Sequence, residues 1–181
     1  HDVILLLVLL CTVPLNCFAG EFPQPKIGEA APLFNLEDLQ GDKVSLADLQ
    51  GKFVVIHFAT SWWPFCNAEA PHLEALWKEY KNRNVQVLII DVLESREKTA
   101  GWAGKKGFTF PVLLDIDGEV AASYSPPDLL PDLSRSEVAI GSNLIIDDKG
   151  KIQFFDLLNT TSFDAKLIKL QARLEQLLAE K

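Results

Sequence analysis

Cysteine is scarce in this chain of 181 residues: it has only Cys11, Cys17 and Cys66. The first two fall in an apolar leader-like stretch, so the remainder carries one thiol and closes no internal disulfide. Clustered positive charge is missing too. No Lys/Arg run exceeds Lys105-Lys106 and the formal net charge is -8, which excludes a surface built for nucleic acid. No apolar run reaches the roughly 20 residues that span a bilayer. There is no Gly-rich phosphate loop, no metal-ligand spacing and no internal repeat, so neither a metal nor any other cofactor is expected.

What is present fits one domain with a sizeable core, since 48% of residues are apolar and 23% charged. Residues 3–10 form an unbroken apolar run of signal-peptide length. The chain begins with His1 rather than Met, so the expectation is that its true start, and the positive segment preceding such a run, lie upstream. Cys17-Phe18-Ala19 before Gly20 suits a small-x-small cleavage, giving a signal peptide at 1–19 and a domain at 20–181. Leu15-Asn16-Cys17 is the competing lipoprotein site, a poor one because Asn16 is large. Export to the periplasm or cell envelope follows, soluble in preference to lipid-anchored, with membrane contact only through an anchor at Cys17.

Residues 53–59 are continuously apolar apart from His57, the pattern of a strand buried on both faces of a sheet that contains parallel pairs. A histidine placed there reads as a hydrogen-bonded structural residue rather than a base. Ahead of this central strand, the chain up to Leu36, a turn at 38–43 and residues 44–46 read as a hairpin, followed by a helical turn at 46–50. After it, Leu73, Leu76, Trp77 and Tyr80 predict a helix over 64–82, kinked at Pro71. A second buried strand is expected over 85–92, a helix capped by Ser95 over 95–106, and a third strand over 110–114. Residues 123–137, rich in Pro, Ser and Asp, read as a loop near the site, and 138–147 as another strand. Asp147-Asp148-Lys149-Gly150 is a hairpin turn into 152–155. A last helix is expected to carry Phe163, Leu167, Leu170, Leu174 and Leu177 on one core-facing stripe. Strands alternating with helices predict an α/β domain.

The chemistry concentrates at residues 61–71, Ser-Trp-Trp-Pro-Phe-Cys-Asn-Ala-Glu-Ala-Pro, between the central strand and its helix. A thiol there meets unpaired helix N–H groups and the positive end of the helix dipole, which favour a thiolate. Glu69, three residues beyond Cys66, shares its helix face, and burial would raise its pKa. The stretch resembles the site of thioredoxin-fold disulfide reductases of the bacterial cell envelope, the TlpA/ResA type, and more loosely the AhpC/TSA-redoxin superfamily, with Trp-Cys-Pro-x-Cys become Trp-Trp-Pro-Phe-Cys. The resemblance implies a thioredoxin-like fold, with a central mixed β-sheet flanked by helices and an N-terminal β-hairpin extension. It places Trp63 at the attacking cysteine and Cys66 at the resolving one. Glu69 falls where the family carries a carboxylate, and Pro71 where its helix kinks. It also implies that Trp62, Pro64, Phe65 and Gly141 contact substrate, Gly141 standing where the family has a cis-proline. Because a cis bond before a non-proline residue costs roughly 3 kcal/mol, a trans peptide or a different local path is expected there.

The function implied is thiol-disulfide exchange with protein thiols or disulfides, or with a redox partner protein. As written, one of the two thiols is missing, so no intramolecular dithiol cycle operates. Three readings follow. In the first, residue 63 is a selenocysteine read as Trp, because UGA encodes selenocysteine in some redox enzymes and Trp in some translation tables. In the second the protein is a peroxiredoxin-like peroxidase, for which Thr60 stands three residues before position 63 rather than before Cys66. In the third it is a non-catalytic binding module with Trp62, Trp63 and Phe65 forming an exposed aromatic patch.

Overall fold

Residues 25–180 are described by the structure, a computed structural model; the expected signal peptide and Cys17 lie outside them. In chain order the elements are β1 (Asn35–Asp38), β2 (Lys43–Ser45), a 3-10 turn (Ala47–Leu49), β3 (Phe53–Ala59), α1 (Pro64–Tyr80), β4 (Val85–Val92) and α2 (Arg96–Lys106). They continue with β5 (Val112–Asp115), α3 (Glu119–Tyr124), α4 (Arg135–Val138), β6 (Asn143–Ile146), β7 (Ile152–Asp156) and α5 (Ile168–Ala179).

The strands form one mixed sheet in the order β2-β1-β5-β4-β3-β6-β7. The pairs β3/β4 and β4/β5 are parallel, and the other neighbours are antiparallel. Both parallel crossovers step the same way along the sheet, so their right-handedness puts α1 and α2 on one face. Side-chain alternation then divides the core. Phe53, Val55 and Ala59 of β3 pack with Leu73 and Leu76 of α1, Trp102 of α2 and Leu170, Leu174 and Leu177 of α5. Val54, Ile56 and Phe58 point the other way, to Ala121 and Tyr124 of α3 and to Phe34 and Leu46 beside the N-terminal hairpin. The expected central strand, hairpin, α/β layering and Ser95 cap all stand; the Ser95 side chain accepts from the Lys98 N–H. Pro71 lies inside α1, which runs unbroken from Pro64 to Tyr80.

Four expectations need correction. The third strand starts at Val112 rather than at residue 110. Residues 123–137 are not all loop: they hold the end of α3 and most of α4, which is closed by a capping box between Ser134 and Glu137. The strand expected over 138–147 is only β6, because Val138 ends a helix and Gly141 turns the chain with φ 86° before Asn143. The last helix starts at Ile168 rather than near Phe163, since Leu167 adopts a left-handed φ of 57° that a continuing helix excludes. Leu167 is still buried in the α1-face core.

Candidate active site

The end of β3, the loop at 60–63 and the first two turns of α1 build the site. Pro64 occupies the first turn, where its missing N–H leaves no helix bond unmade. The entry is held by Asn67. Its side-chain amide donates to the carbonyls of Ser61 (2.8 Å) and Trp63 (3.0 Å), and its oxygen accepts from Trp102 Nε1 (3.0 Å). Trp63 caps α1 in an extended conformation without a side-chain cap bond.

Cys66, a free thiol, is fully buried three residues on. Here the expected thiolate does not form. Burial outweighs the helix terminus and pushes the thiol up to about 12, against a backbone hydrogen bond at Thr60 and with the charges of Glu69 and Asp91 adding to the rise. Glu69 is 2% exposed, one turn along the same helix face. It accepts from Asn143 Nδ2 at 2.9 Å, and its other oxygen lies 3.4 Å from His57 Nδ1. Burial raises the Glu69 carboxyl to about 8, partly offset by the Asn143 bond, with Asp156 and Asp164 adding smaller repulsions.

His57, 0% exposed, bonds Asn143 Oδ1 through Nδ1 at 2.9 Å, and burial lowers it to about 4. It is therefore a neutral ring at ordinary pH, the hydrogen-bonded residue that its strand position implied. Asn143 links the two because β6 pairs it directly with His57.

On the outer side, Trp62 is 57% exposed, whereas Trp63 and Phe65 are half-buried, so the expected aromatic patch shrinks to one exposed ring. The rings form a chain: Trp62 to Trp63 at 5.0 Å, Trp63 to Phe65 at 5.9 Å and Phe65 to Phe163 at 4.8 Å. Trp62 and Trp63 also line a pocket of about 270 Å³ with Leu130, Leu133, Val138 and Ile140, which brings the 125–134 segment to the site as expected. Gly141 binds the end of β3 through its N–H to the Phe58 carbonyl at 2.7 Å. Among the described residues no peptide bond is cis.

Sequence reasoning missed Asn67, Asp91, Glu94 and Asn143. Asp91 left a trace, as a lone acid at the end of an apolar strand. The others left none, because their roles depend on strand register and loop path.

A model of the AhpC/TSA family matches residues 27–155. The chain belongs to the AhpC/TSA family. Within it, the chain is similar to the thiol-disulfide oxidoreductase ResA of Bacillus subtilis (strain 168), 30% identical over 151 residues that cover 82% of this chain and 78% of the relative. Among solved structures, a protein of Bacteroides thetaiotaomicron superposes with a TM-score of 0.73 at 29% identity, covering 86% of this chain and 91% of that one. A secreted Mycobacterium tuberculosis disulfide oxidoreductase homologous to E. coli DsbE gives 0.63 at 26% identity, covering 80% and 96%. The family member is thus a thioredoxin-like α/β protein of the ResA/DsbE type. Among its described residues no helix is long and apolar enough to cross a membrane.

Proposed function

We propose that the chain is an extracytoplasmic thiol-disulfide oxidoreductase whose nucleophile position, residue 63, is a UGA-encoded selenocysteine written as Trp. In this reading residues 1–19 are an export signal and 20–181 the working domain. Position 63 attacks a disulfide of a protein substrate or redox partner, Cys66 resolves the mixed disulfide, and Glu69 holds or releases the proton. Trp62, Pro64, Phe65 and Gly141 frame the substrate.

The observation that carries it is the mismatch at residue 63. The Trp63 indole N–H is buried without a hydrogen-bond partner among the described residues, at a cost of about 1–3 kcal/mol. A resolving role is supported by the buried Cys66 thiol three residues on and by the protonatable Glu69 carboxyl one helical turn beyond it. A small chalcogen at the N-cap of α1 would instead accept from the free N–H groups of that helix.

The test is insulin reduction with dithiothreitol. The chain as written gives no dithiol turnover, Trp63→Cys gains it, and adding Cys66→Ser removes it. A folded but inactive Trp63→Cys protein overturns the reading. Sequencing the codon for residue 63 and its downstream hairpin tests the selenium origin separately.

One observation favours the alternative of a non-catalytic binding module: exposed Trp62 borders the apolar 270 Å³ pocket. The peroxidase alternative gains no such support. Arg96 is held by Glu37 and the Asp38 carbonyl, and Arg135 donates to the Ser125 carbonyl.

A further inference from the structure

Cys66 has a second acidic neighbour that the thiol chemistry above leaves unused. Asp91 pairs in register with Ala59, and alternation along β4 sets it beside Val87 and Ile89 on the α1 face, fully buried. Thr99 Oγ1 donates to its Oδ1 at 2.8 Å. Its Oδ2 finds no donor among the described residues, and the carboxyl of Glu94 is the neighbour of the group. Glu94 is also buried and is well supplied: it accepts the Ser61 N–H at 2.6 Å, the Ser61 hydroxyl at 2.9 Å and the Lys98 ammonium.

Two carboxyl groups in contact inside a protein do not both ionise at neutral pH. The donors around Glu94 decide which one keeps the charge. Although burial pushes Glu94 up, Lys98 and the two Ser61 bonds hold it below the ordinary carboxylate range, while burial and the Glu94 charge hold Asp91 well above it. The Asp91 O–H then fills the contact as a donor to Glu94. Glu69 sits apart from this pair, tied through Asn143 to His57.

We propose that Asp91 and Glu94 share one proton and that the charge of this pair governs how readily the Cys66 thiol ionises, making Asp91 a positioning residue for that thiol. The groups that act on Asp91 are Glu94 by contact, Thr99 of α2 by its hydroxyl and Lys98 by its charge, and Asp91 in turn acts by its charge on Cys66 of α1. While the proton is shared, the negative charge sits on Glu94 against Lys98. Once Asp91 ionises, its charge opposes a thiolate at Cys66. Through Ser61 the same pair anchors the loop that leads to position 63.

The first half of the test uses the chain as written. Carboxyl-carbon NMR titration should show Asp91 ionising well above Glu94. Glu94→Gln should bring the Asp91 step down, and Glu69→Gln should leave it in place. An Asp91 that titrates in the ordinary carboxylate range, or that ignores Glu94→Gln, overturns the shared proton.

The second half rests on Cys66 being the resolving thiol, and so on Trp63→Cys. In that protein Cys66 loses its proton and its sulfur bonds the sulfur at position 63. The substrate sulfur leaves with the electron pair of the broken disulfide and takes up a proton from water. Adding Asp91→Asn should leave the resolving rate unchanged at low pH and make it roughly tenfold faster once Asp91 would have ionised, the size of one pKa unit of relieved repulsion. A uniform loss at every pH would mark a merely structural aspartate and overturn the proposal. If Trp63→Cys shows no turnover at all, the redox reading fails, and the titration still decides whether the proton is shared.

Discussion

Two buried aspartates stand at the ends of neighbouring parallel strands, Asp91 on β4 and Asp115 on β5, and they could hardly be treated more differently. Asp115 turns to α3, where its two oxygens accept the N–H groups of Val120 (3.3 Å) and Ala121 (2.8 Å), and it supplies the cap that Gly118 lacks. Asp91 turns to the α1 face, where the Thr99 hydroxyl of α2 serves one oxygen and the Glu94 carboxyl is the neighbour of the group. Burial raises both carboxyls, so burial does not separate them. The missing donor does. The same division extends over the two faces of the sheet. On the α3 face Tyr124 donates to the Pro32 carbonyl at 2.6 Å. On the α1 face His57, Trp63 and Glu69 each bury a polar atom without a hydrogen-bond partner among the described residues, and Asp91 has another carboxyl for a neighbour. Natural interiors leave few such groups, and each of them calls for a reason of its own.

The sharpest way to exploit this contrast is Trp63→Cys, which should take the α1 face from no dithiol turnover to insulin reduction that requires Cys66. On the satisfied face, Asp115→Ala strips two N–H groups of their acceptor and should cost about 2–3 kcal/mol. That loss is read as a lower urea midpoint. Turnover of the Trp63→Cys protein per folded molecule should be unaffected; a fall there would erase the distinction between the faces.

Glu69→Gln should instead stabilise the protein in alkali. The folded-state value of Glu69, about 8, lies above that of the unfolded chain, so the unfolded state gives up its proton first. Stability therefore declines as pH climbs from the ordinary carboxylate range to about 8. Glutamine removes that slope and should gain roughly 1–3 kcal/mol at pH 8. Because His57 is lowered to about 4 from 6.5, its contribution rises with pH over that lower interval, so urea curves should be compared above pH 6.5. The smallest effect belongs to Trp63→Phe, which keeps the ring contacts, deletes the orphaned N–H and should stabilise by less than about 1 kcal/mol.

Strands β3 and β4 and helices α1 and α2 were legible in the sequence because each signals through neighbours along the chain: continuous apolar runs, helical spacing, the Ser95 cap. Cys66 and Glu69 were legible for the same reason, being three residues apart on one helix. Asn143 was not, since its link to His57 spans 86 residues and exists only through the pairing of β3 with β6. Asp91 and Glu94 meet by the path of the chain after β4, and Leu93 between them has a φ of 61° that no apolar pattern announces. Helix α4 is a different case. The Ser134-x-x-Glu137 box was there to be read, but the surrounding Pro, Ser and Asp hid a helix of only four residues.

Gly141 constrains the history of this site as much as its geometry. A Cβ at that position would lie 3.0 and 3.1 Å from Leu158 atoms, and the glycine's φ of 86° is one that proline, fixed near −65°, cannot adopt. A lineage moving between this sequence and one with proline there must therefore turn the backbone over at residue 141, so the exchange of that residue alone passes through a poorer protein. Random replacement at 141 should return proline only in clones whose neighbouring chain has changed with it, so the path of the loop and the identity of this residue are inherited together.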